Sequence, residues 1–373
     1  MDFPFPTTEV VEGAARLLVP DILRRKGPGA KGPWPFYNPT MVVNRDLSTV
    51  LLRKWPRPLG EILDGLAATG AWGIRVGLET ARPRITFNDV DSRATDLIRA
   101  NLARNRLEGE VRQEDLRSLF DERSYDFVDI DPFGPPTPFL GAAFRAARDG
   151  SGLGVTATDT APLCGTYPKA CLRRYVARPL RCDQGHEIGL RILLGYLERV
   201  AQAHGKVIRP ILAFAAEHFL RANLLVFDGL REPAGPMGYV ARTAERSFES
   251  ADPRDPEALG PLWTGPVCDD SIIRTLSPSE WTGVAAQRLL SLLQGEAGLP
   301  AFFVTTDELA RISRGSPPKL ETFLGALRAQ GFRGVRTHFH PRGVKTDAPR
   351  DEILRIYRSV APSGPTGGSG PAS

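Results

Sequence analysis

Two apolar runs, Val207-Ile208-Arg209-Pro210-Ile211-Leu212-Ala213-Phe214-Ala215 and Leu220-Arg221-Ala222-Asn223-Leu224-Leu225-Val226-Phe227, lie close together and are closed by Asp228-Gly229. Runs of this length, rich in β-formers and bounded by turn residues, read as two neighbouring strands. Just upstream, residues 187–204 carry Ile188, Leu190, Ile192, Leu193 and Leu197, dense enough for a long helix buried against a sheet. Further upstream, from residue 60, the pattern alternates strand and helix. Strands are read at 61–64, 84–88, 110–113, 125–130 and 152–157, with helices from about Ile74, over 94–104 and over 138–148. Five β/α units, one helix and two adjacent strands make seven strands.

That order predicts an α/β fold with the Rossmann-like seven-stranded sheet of class I S-adenosylmethionine-dependent methyltransferases, whose last two strands form a hairpin. A plain dinucleotide-binding fold predicts a sixth parallel strand instead. A methyltransferase domain over residues 1–230 follows, then a smaller C-terminal α+β domain over 231–360 and a disordered Pro/Gly/Ser-rich tail over 361–373. Within the second part, 231–285 reads as connecting structure and 279–294 as a helix. Thr306 or Asp307 caps another helix, Pro317-Pro318 starts a third that runs through Gln330, and Gly331-Phe332 stops it. With a strand at 335–339, this unit is winged-helix-like.

The 373 residues are long for one small core and fit two domains. A net charge of +5 permits nucleic-acid binding without demonstrating it. Cys164, Cys171, Cys182 and Cys268 show no CxxC pairing, which argues against a disulfide framework or a zinc knuckle. The opening MDFPFPTTEV lacks the basic start and apolar core of a secretion signal. No uninterrupted apolar stretch approaches the ~20 residues of a membrane helix. The expected location is the cytoplasm.

The chemistry concentrates in Asp129-Ile130-Asp131-Pro132-Phe133-Gly134, at the end of the run 125–130. An acceptor at a strand tip, a proline exposing a carbonyl and an aromatic platform can hold a planar exocyclic amine while a methyl group arrives. Such an amine is a poor nucleophile because its lone pair is delocalised into the ring. Accepting its protons and stacking its ring lets the lone pair localise. Alone, the hexapeptide reads equally as a strand-end turn. The loop after the first strand adds Gly65, Gly70 and Gly73, which let the backbone approach a ligand before a helix N-terminus; it is not the dinucleotide GxGxxG. Asp89, ending the second strand, is placed for ribose hydroxyls, and Asp115, ending the third, for an adenine amine. Each acid alone also reads as a turn residue or helix cap. At successive strand ends they converge on one site.

The hexapeptide, Phe36-Tyr37-Asn38-Pro39 with Asn44-Arg45-Asp46-Leu47, and Thr156-Ala157-Thr158-Asp159 before Pro162-Leu163-Cys164-Gly165 together resemble one family. It is the tRNA guanine-N2 dimethyltransferases that modify the guanine at tRNA position 26, in the compact form typical of archaeal members. His186-Glu187, Gly260-Pro261-Leu262-Trp263 and Arg336-Thr337-His338-Phe339 are similar to later blocks, so the resemblance spans about residues 10 to 350. It implies that Asp131 contacts the target amine and is catalytic, that Phe36, Phe133 and Pro132 hold the flipped guanine, and that Arg45 sits at the methionine part of S-adenosylmethionine. Gly70, Asp89, Asp115 and Leu116 complete the implied cofactor contacts. Phe36 and Arg45 rest on the resemblance; from the residues alone they read as a core aromatic and a surface ion pair. Two departures stand out. Trp72 replaces an arginine common in the family, with Arg75 as the candidate substitute, and 237–259 lacks the paired cysteines of some relatives, so no metal is expected.

Cys164 reads as a packed residue rather than a nucleophile, and His338 and His340 as structural residues or RNA contacts. Lys169, Arg173, Arg174, Arg178 and Arg181 form an acid-free basic cluster, and Arg24, Arg25, Lys26 and Lys31 a second. The C-terminal unit adds Arg311, Arg314, Lys319 and Arg328 among others. A basic run is often just a solvated face, but three around a base-sized site suit phosphate tracking with base extrusion. The expected function is methyl transfer, once or twice, from S-adenosylmethionine to guanine N2 of tRNA by direct displacement. An amino-methyltransferase on another RNA or DNA base and a non-catalytic RNA-binding protein retaining the fold are the alternatives.

Overall fold

The computed structural model describes residues 3–21, 32 and 34–362. The cluster Arg24, Arg25, Lys26 and Lys31 and the tail from 363 on lie outside the described residues.

The chain opens with an antiparallel hairpin, β1 (Thr7–Glu12) and β2 (Ala15–Pro20), followed by helix α1 (Val42–Leu52). Strand and helix then alternate: β3 (Glu61–Asp64), α2 (Ala71–Glu79), β4 (Arg84–Asn88), α3 (Ser92–Asn105) and β5 (Glu110–Arg112). The pattern continues with α4 (Leu116–Glu122), β6 (Phe127–Ile130), α5 (Thr137–Ala146) and β7 (Ser151–Ala157). Two short helices, α6 (Thr160–Leu163) and α7 (Pro168–Tyr175), and the long α8 (Gly185–Ala203) lead to β8 (Lys206–Ala216) and β9 (Phe219–Asp228).

These last seven strands form one sheet in the order β5-β4-β3-β6-β7-β9-β8. β3 to β7 pair in parallel, and β9 alone is reversed, antiparallel to both β7 and β8. Both faces are covered, which is why the central strands read as apolar runs rather than alternating ones. One face packs Phe144, Leu190, Leu193 and Leu197, the other Leu47, Ile74, Ile98 and Leu290. Topology therefore brings the carboxyl ends of β3, β4, β6 and β7, and the β8–β9 turn, to one edge, the place where open α/β sheets bind ligands.

The opening hairpin has no clean periodicity in sequence, and its partner explains why. Asn101 of α3 donates to the Leu18 carbonyl at 2.9 Å and accepts from the Leu18 N–H at 2.6 Å. One turn on, Asn105 repeats the exchange with Arg16 at 2.8 and 2.9 Å. Two side-chain amides at i and i+4 on one helix face thus satisfy β2 as a neighbouring strand would.

Beyond β9, β10 (Met237–Arg242), β11 (Phe248–Ser250) and β12 (Leu259–Trp263) form a small antiparallel sheet in the segment that composition marks as connection. After α9 (Asp270–Ile273), α10 (Val284–Glu296) starts five residues later than expected. Ser279 and Thr282 instead form a turn, the Ser279 N–H donating to Thr282 Oγ1 at 2.9 Å, and the Gly283 N–H is held by Asp46 of α1 at 3.0 Å. Leu290 and Leu293 enter the same core as Leu47 and Val50, so this helix packs on the seven-stranded sheet.

The last elements are β13 (Val304–Thr305), α11 (Thr306–Ser313), α12 (Leu320–Ala329), β14 (Gly334–Arg336), β15 (Gly343–Thr346) and α13 (Arg350–Val360). From α10 to β15 the order is helix, strand, helix, helix, strand, strand, with β15 between β13 and β14, the connectivity of a winged helix. The strand read at 335–339 stops at Arg336, and His338 turns inward. Its Nδ1 lies 2.7 Å from Glu296 and its Nε2 accepts from the Ala215 N–H at 3.3 Å. Lys345 sits 3.2 Å from Glu187 and 3.6 Å from Glu296. This buried cluster ties the unit to α8 and to the sheet edge, which gives His338 its structural reading. No helix among the described residues is long and apolar enough to cross a membrane.

Candidate active site

The site is built on the tip of β6. The Asp129 carbonyl accepts the Gly65 N–H at 3.0 Å, tying the end of β6 to the loop after β3. Only glycine fits there: a Cβ on Gly65 would stand 2.8 Å from that carbonyl and 3.0 Å from the Leu116 methyls. Past the tip, the Gly134 N–H donates to Thr158 Oγ1 at 2.7 Å and the Thr158 N–H to the Gly134 carbonyl at 3.1 Å. The Asp-Pro-Phe-Gly segment is thus clamped between the ends of β3 and β7. Pro132 is buried, whereas Phe133 is 46 % exposed, an unusual position for a phenylalanine. Its ring meets that of Phe36 edge-on, with centroids 4.6 Å apart. Two aromatics 97 residues apart in sequence are thus brought together beside the tip of β6.

A buried ion pair lies underneath. Asp129 pairs with Arg221 of β9, which is wholly enclosed. Arg221 also donates to Thr156 Oγ1 at 3.0 Å and to Asn223 Oδ1 at 3.2 Å. Asp131 lies just above. Burial and the Asp129 charge push its carboxyl up to about 6, against the opposing pull of Arg221, the Thr156 hydroxyl and Arg45. A carboxylate with this affinity is a competent proton acceptor at neutral pH.

Along the edge, the cofactor side takes shape. Asp64, buried at the end of β3, accepts the Gly73 N–H at 3.0 Å. Burial, with the charges of Asp129, Asp131 and Asp89, pushes it well above the usual carboxylate range. Gly70 opens α2 at φ +74°, the left-handed conformation that glycine adopts without strain. Asp89 accepts the Ala68 N–H at 2.9 Å on one oxygen and the Asp91 N–H at 3.0 Å on the other. Each oxygen keeps acceptor capacity of its own, an arrangement suited to a vicinal diol. Asn88 staples the β3 and β5 loops, donating to the Gly65 and Glu114 carbonyls at 3.2 and 3.1 Å. Leu116 is buried against Gly65.

Three residues sit differently from what sequence suggests. Asp115 caps α4 and is engaged by its neighbour, accepting from the Arg117 N–H and guanidinium at 2.9 Å; those bonds hold it at about 2. Arg45 is buried rather than at the surface, donating to both Glu12 oxygens at 2.6 and 2.7 Å and to the Asn38 carbonyl at 3.0 Å. Arg75 does not compensate for Trp72: it is fully enclosed and bound to Glu79, Asp46 and Glu12 at 2.7, 2.6 and 3.1 Å. Trp72 itself is a core residue stacked at 6.0 Å on Phe127.

Several participants escaped sequence reading. Glu12 holds Arg45 and Arg75 and accepts from Tyr37 Oη at 2.7 Å, yet nothing local in β1 marks it. Arg221 and Asp129 did leave a signal, charges inside otherwise apolar strands. Cys164 is pushed up to about 12 by burial, the environment of a packed thiol.

Seven strands in this order, with acids at successive carboxyl ends and an aromatic, acidic tip, make this a class I S-adenosylmethionine-dependent methyltransferase. The family model described as TRM, N2,N2-dimethylguanosine tRNA methyltransferase, matches residues 13–358. The tRNA (guanine(26)-N(2))-dimethyltransferase of Pyrococcus horikoshii is 36 % identical over 383 residues, covering 94 % of this chain and 98 % of that protein. Its namesake from Methanospirillum hungatei is 38 % identical, covering 93 % and 98 %. The solved structure of Trm1 from Pyrococcus horikoshii with S-adenosyl-L-methionine superposes with a TM-score of 0.82, covering 94 % of this chain and 99 % of that one. The chain belongs to the N2,N2-dimethylguanosine tRNA methyltransferase family.

Proposed function

We propose that this protein methylates the exocyclic N2 of guanine at tRNA position 26, using S-adenosylmethionine, with Asp131 as the acceptor of the amine hydrogens. What carries the reading is one juxtaposition: a carboxylate of raised proton affinity beside the Phe36–Phe133 pair at the tip of β6. Asp89, the Gly65–Gly70 loop and Leu116 fit the adenosine half of the cofactor, and Arg45, whose charge reaches Asp131, its methionine half. Asp115 serves the adenine amine only as far as Arg117 leaves its carboxylate available. S-adenosylmethionine supplies an electrophilic methyl group on a sulfonium. Phe36 and Phe133 stack the extruded base, offsetting the few kcal/mol that leaving its stack costs. Asp131 and the Pro132 carbonyl each accept a hydrogen bond from the N2 amine, so the lone pair localises on nitrogen. As that nitrogen takes the methyl group and the donor is left as a neutral thioether, one of the amine's two protons passes to Asp131. One hydrogen remains after the first transfer, and its acceptance permits a second.

In this reading residues 1–230 carry catalysis and 231–360 help hold the tRNA, the partner whose cytoplasmic pool places the protein there. It gains support from the winged-helix connectivity and from Arg311, Arg314, Lys319 and Arg328 on the last unit. The test is methyl uptake by two transcripts of one tRNA, with guanine or adenine at position 26. Uptake with guanine alone is expected; equal uptake by both would overturn the assignment.

Two further outcomes follow from the geometry. Asp131 must be ionised to accept a proton, and its carboxyl sits at about 6. The rate kcat/KM is therefore level above pH 7 and falls about tenfold per pH unit well below 6; a profile flat from pH 5 to 8 contradicts the role. Asp89→Ala removes the diol acceptor together with the bonds it accepts from the Ala68 and Asp91 N–H groups, while the seven strands keep their pairing. Calorimetry should show S-adenosylmethionine affinity weakened roughly 10- to 100-fold, as for the loss of charge-assisted hydrogen bonds of ~1.5–3 kcal/mol.

A further inference from the structure

Helix α7 has two unlike faces. Cys171 and Tyr175 point into the core and are wholly buried. On the opposite face Lys169, Leu172 and Arg173 follow at helical spacing, all exposed, with Tyr167 just before the helix and Val176 just after it exposed as well. Leu172, on the helix, and Tyr167 and Val176, at its two ends, are 58, 61 and 56 % exposed, a local concentration of bare apolar surface on an eight-residue helix and its caps. No acid occurs between Asp159 and Asp183. The face is thus apolar and cationic together.

Val176 makes the pattern harder to dismiss. It closes α7 at φ +49°, the left-handed position where glycine is ordinarily found. A β-branched residue is strained there and gains nothing from burial, being exposed. Strain of this kind points to a requirement outside the fold itself. The helix is also tethered to the catalytic tip. Asp159 accepts from Tyr175 Oη at 2.6 Å and from Arg174 at 3.0 Å, and it directly follows Thr158, which clamps Gly134 beside Phe133.

We infer that the outer face of α7 is the surface on which the tRNA strand flanking the extruded guanine rests. Lys169 and Arg173 take its phosphates, and Tyr167, Leu172 and Val176 cover the base faces that extrusion uncovers. The chemistry is that of single-stranded nucleic acid on a mixed platform: cations for the backbone and apolar or aromatic side chains for sequence-tolerant contact with bases. Through Asp159 the platform is held in fixed relation to the acceptor. The inference rests on the tRNA reading of the active site and specifies where that substrate lies.

The experiment uses the full chain and unmodified tRNA. Val176→Gly relieves the left-handed strain but deletes the apolar side chain. Melting temperature unchanged or raised, with KM for tRNA raised several-fold, is expected; a purely structural role for Val176 predicts no change in KM. Lys169→Gln with Arg173→Gln should weaken tRNA binding and lower the slope of log Kd against log salt by about 1.4–1.8, at about 0.7–0.9 counterion per lost phosphate contact. S-adenosylmethionine affinity, measured by calorimetry, stays at the parent value in both variants. If the parent methylates guanine 26 while both variants keep its tRNA affinity and salt slope, α7 does not carry the strand and the inference is overturned. If the parent methylates no tRNA, the underlying reading fails first, and the two failures are told apart.

Discussion

Asp131→Ala lowers kcat for methyl transfer by about 10²–10⁴-fold, the range a positioned proton acceptor contributes, and leaves S-adenosylmethionine binding unchanged by calorimetry. The size follows from where Asp131 stands. It is partly exposed at the end of β6, beside the Phe36–Phe133 pair, and its carboxyl is lifted to about 6 by burial and by Asp129. Asp131→Asn keeps the shape but loses the charge and the acceptor pair on one side, and should fall by a similar factor. Neither variant touches the Asp89 or Gly70 region, so the loss appears in kcat and not in cofactor affinity. Turnover near the parent rate in both variants would remove Asp131 from the reaction.

Arg221→Met is the costliest single change expected for stability. Arg221 is the ionic partner of Asp129, and both are enclosed in the centre of the sheet. Removing one partner of such a pair strands the other, at about 3–5 kcal/mol, and for a chain of 373 residues the midpoint should drop by roughly 4–6 °C. Asp129→Asn on top of Arg221→Met withdraws the stranded charge, so the double variant should melt above the single one. The same Arg221 charge also restrains Asp131. Where the single variant retains measurable activity, its pH profile should move upward, because Asp131 then ionises at higher pH. A variant as stable as its parent would mean that Asp129 is not held charged by Arg221.

The sheet was legible because each central strand is covered on both faces and ends at an acid: Asp64, Asp89 and Asp131 mark the carboxyl edge directly. The β8–β9 pair was equally plain, with Pro210 tolerated where the register shifts between Pro210 and Leu212. Asp89 and the hexapeptide could be placed from residues alone, whereas Phe36 and Arg45 came from family resemblance, since nothing local says which distant side chain they will meet. The opening hairpin escaped because asparagine side chains of α3, not another strand, complete β2. The β10–β12 sheet escaped because β10 and β11 are short and mostly unburied, and the segment carries the proline, glycine and acid content that ordinarily marks loops, so that even the buried β12 reads as part of a connection. Glu12 and the Lys345, Glu187 and Glu296 cluster are invisible for another reason. Buried ion pairs join residues tens to hundreds of positions apart, and a lone charge in sequence does not announce its partner.

The most direct test incubates purified protein with unmodified tRNA and S-adenosylmethionine, digests the RNA and identifies methylated nucleosides by mass spectrometry. The account predicts N2-methylguanosine passing to N2,N2-dimethylguanosine, absent when Asp131→Ala replaces the parent. Methyl groups found only on another base, or on a different atom of guanine, would contradict it.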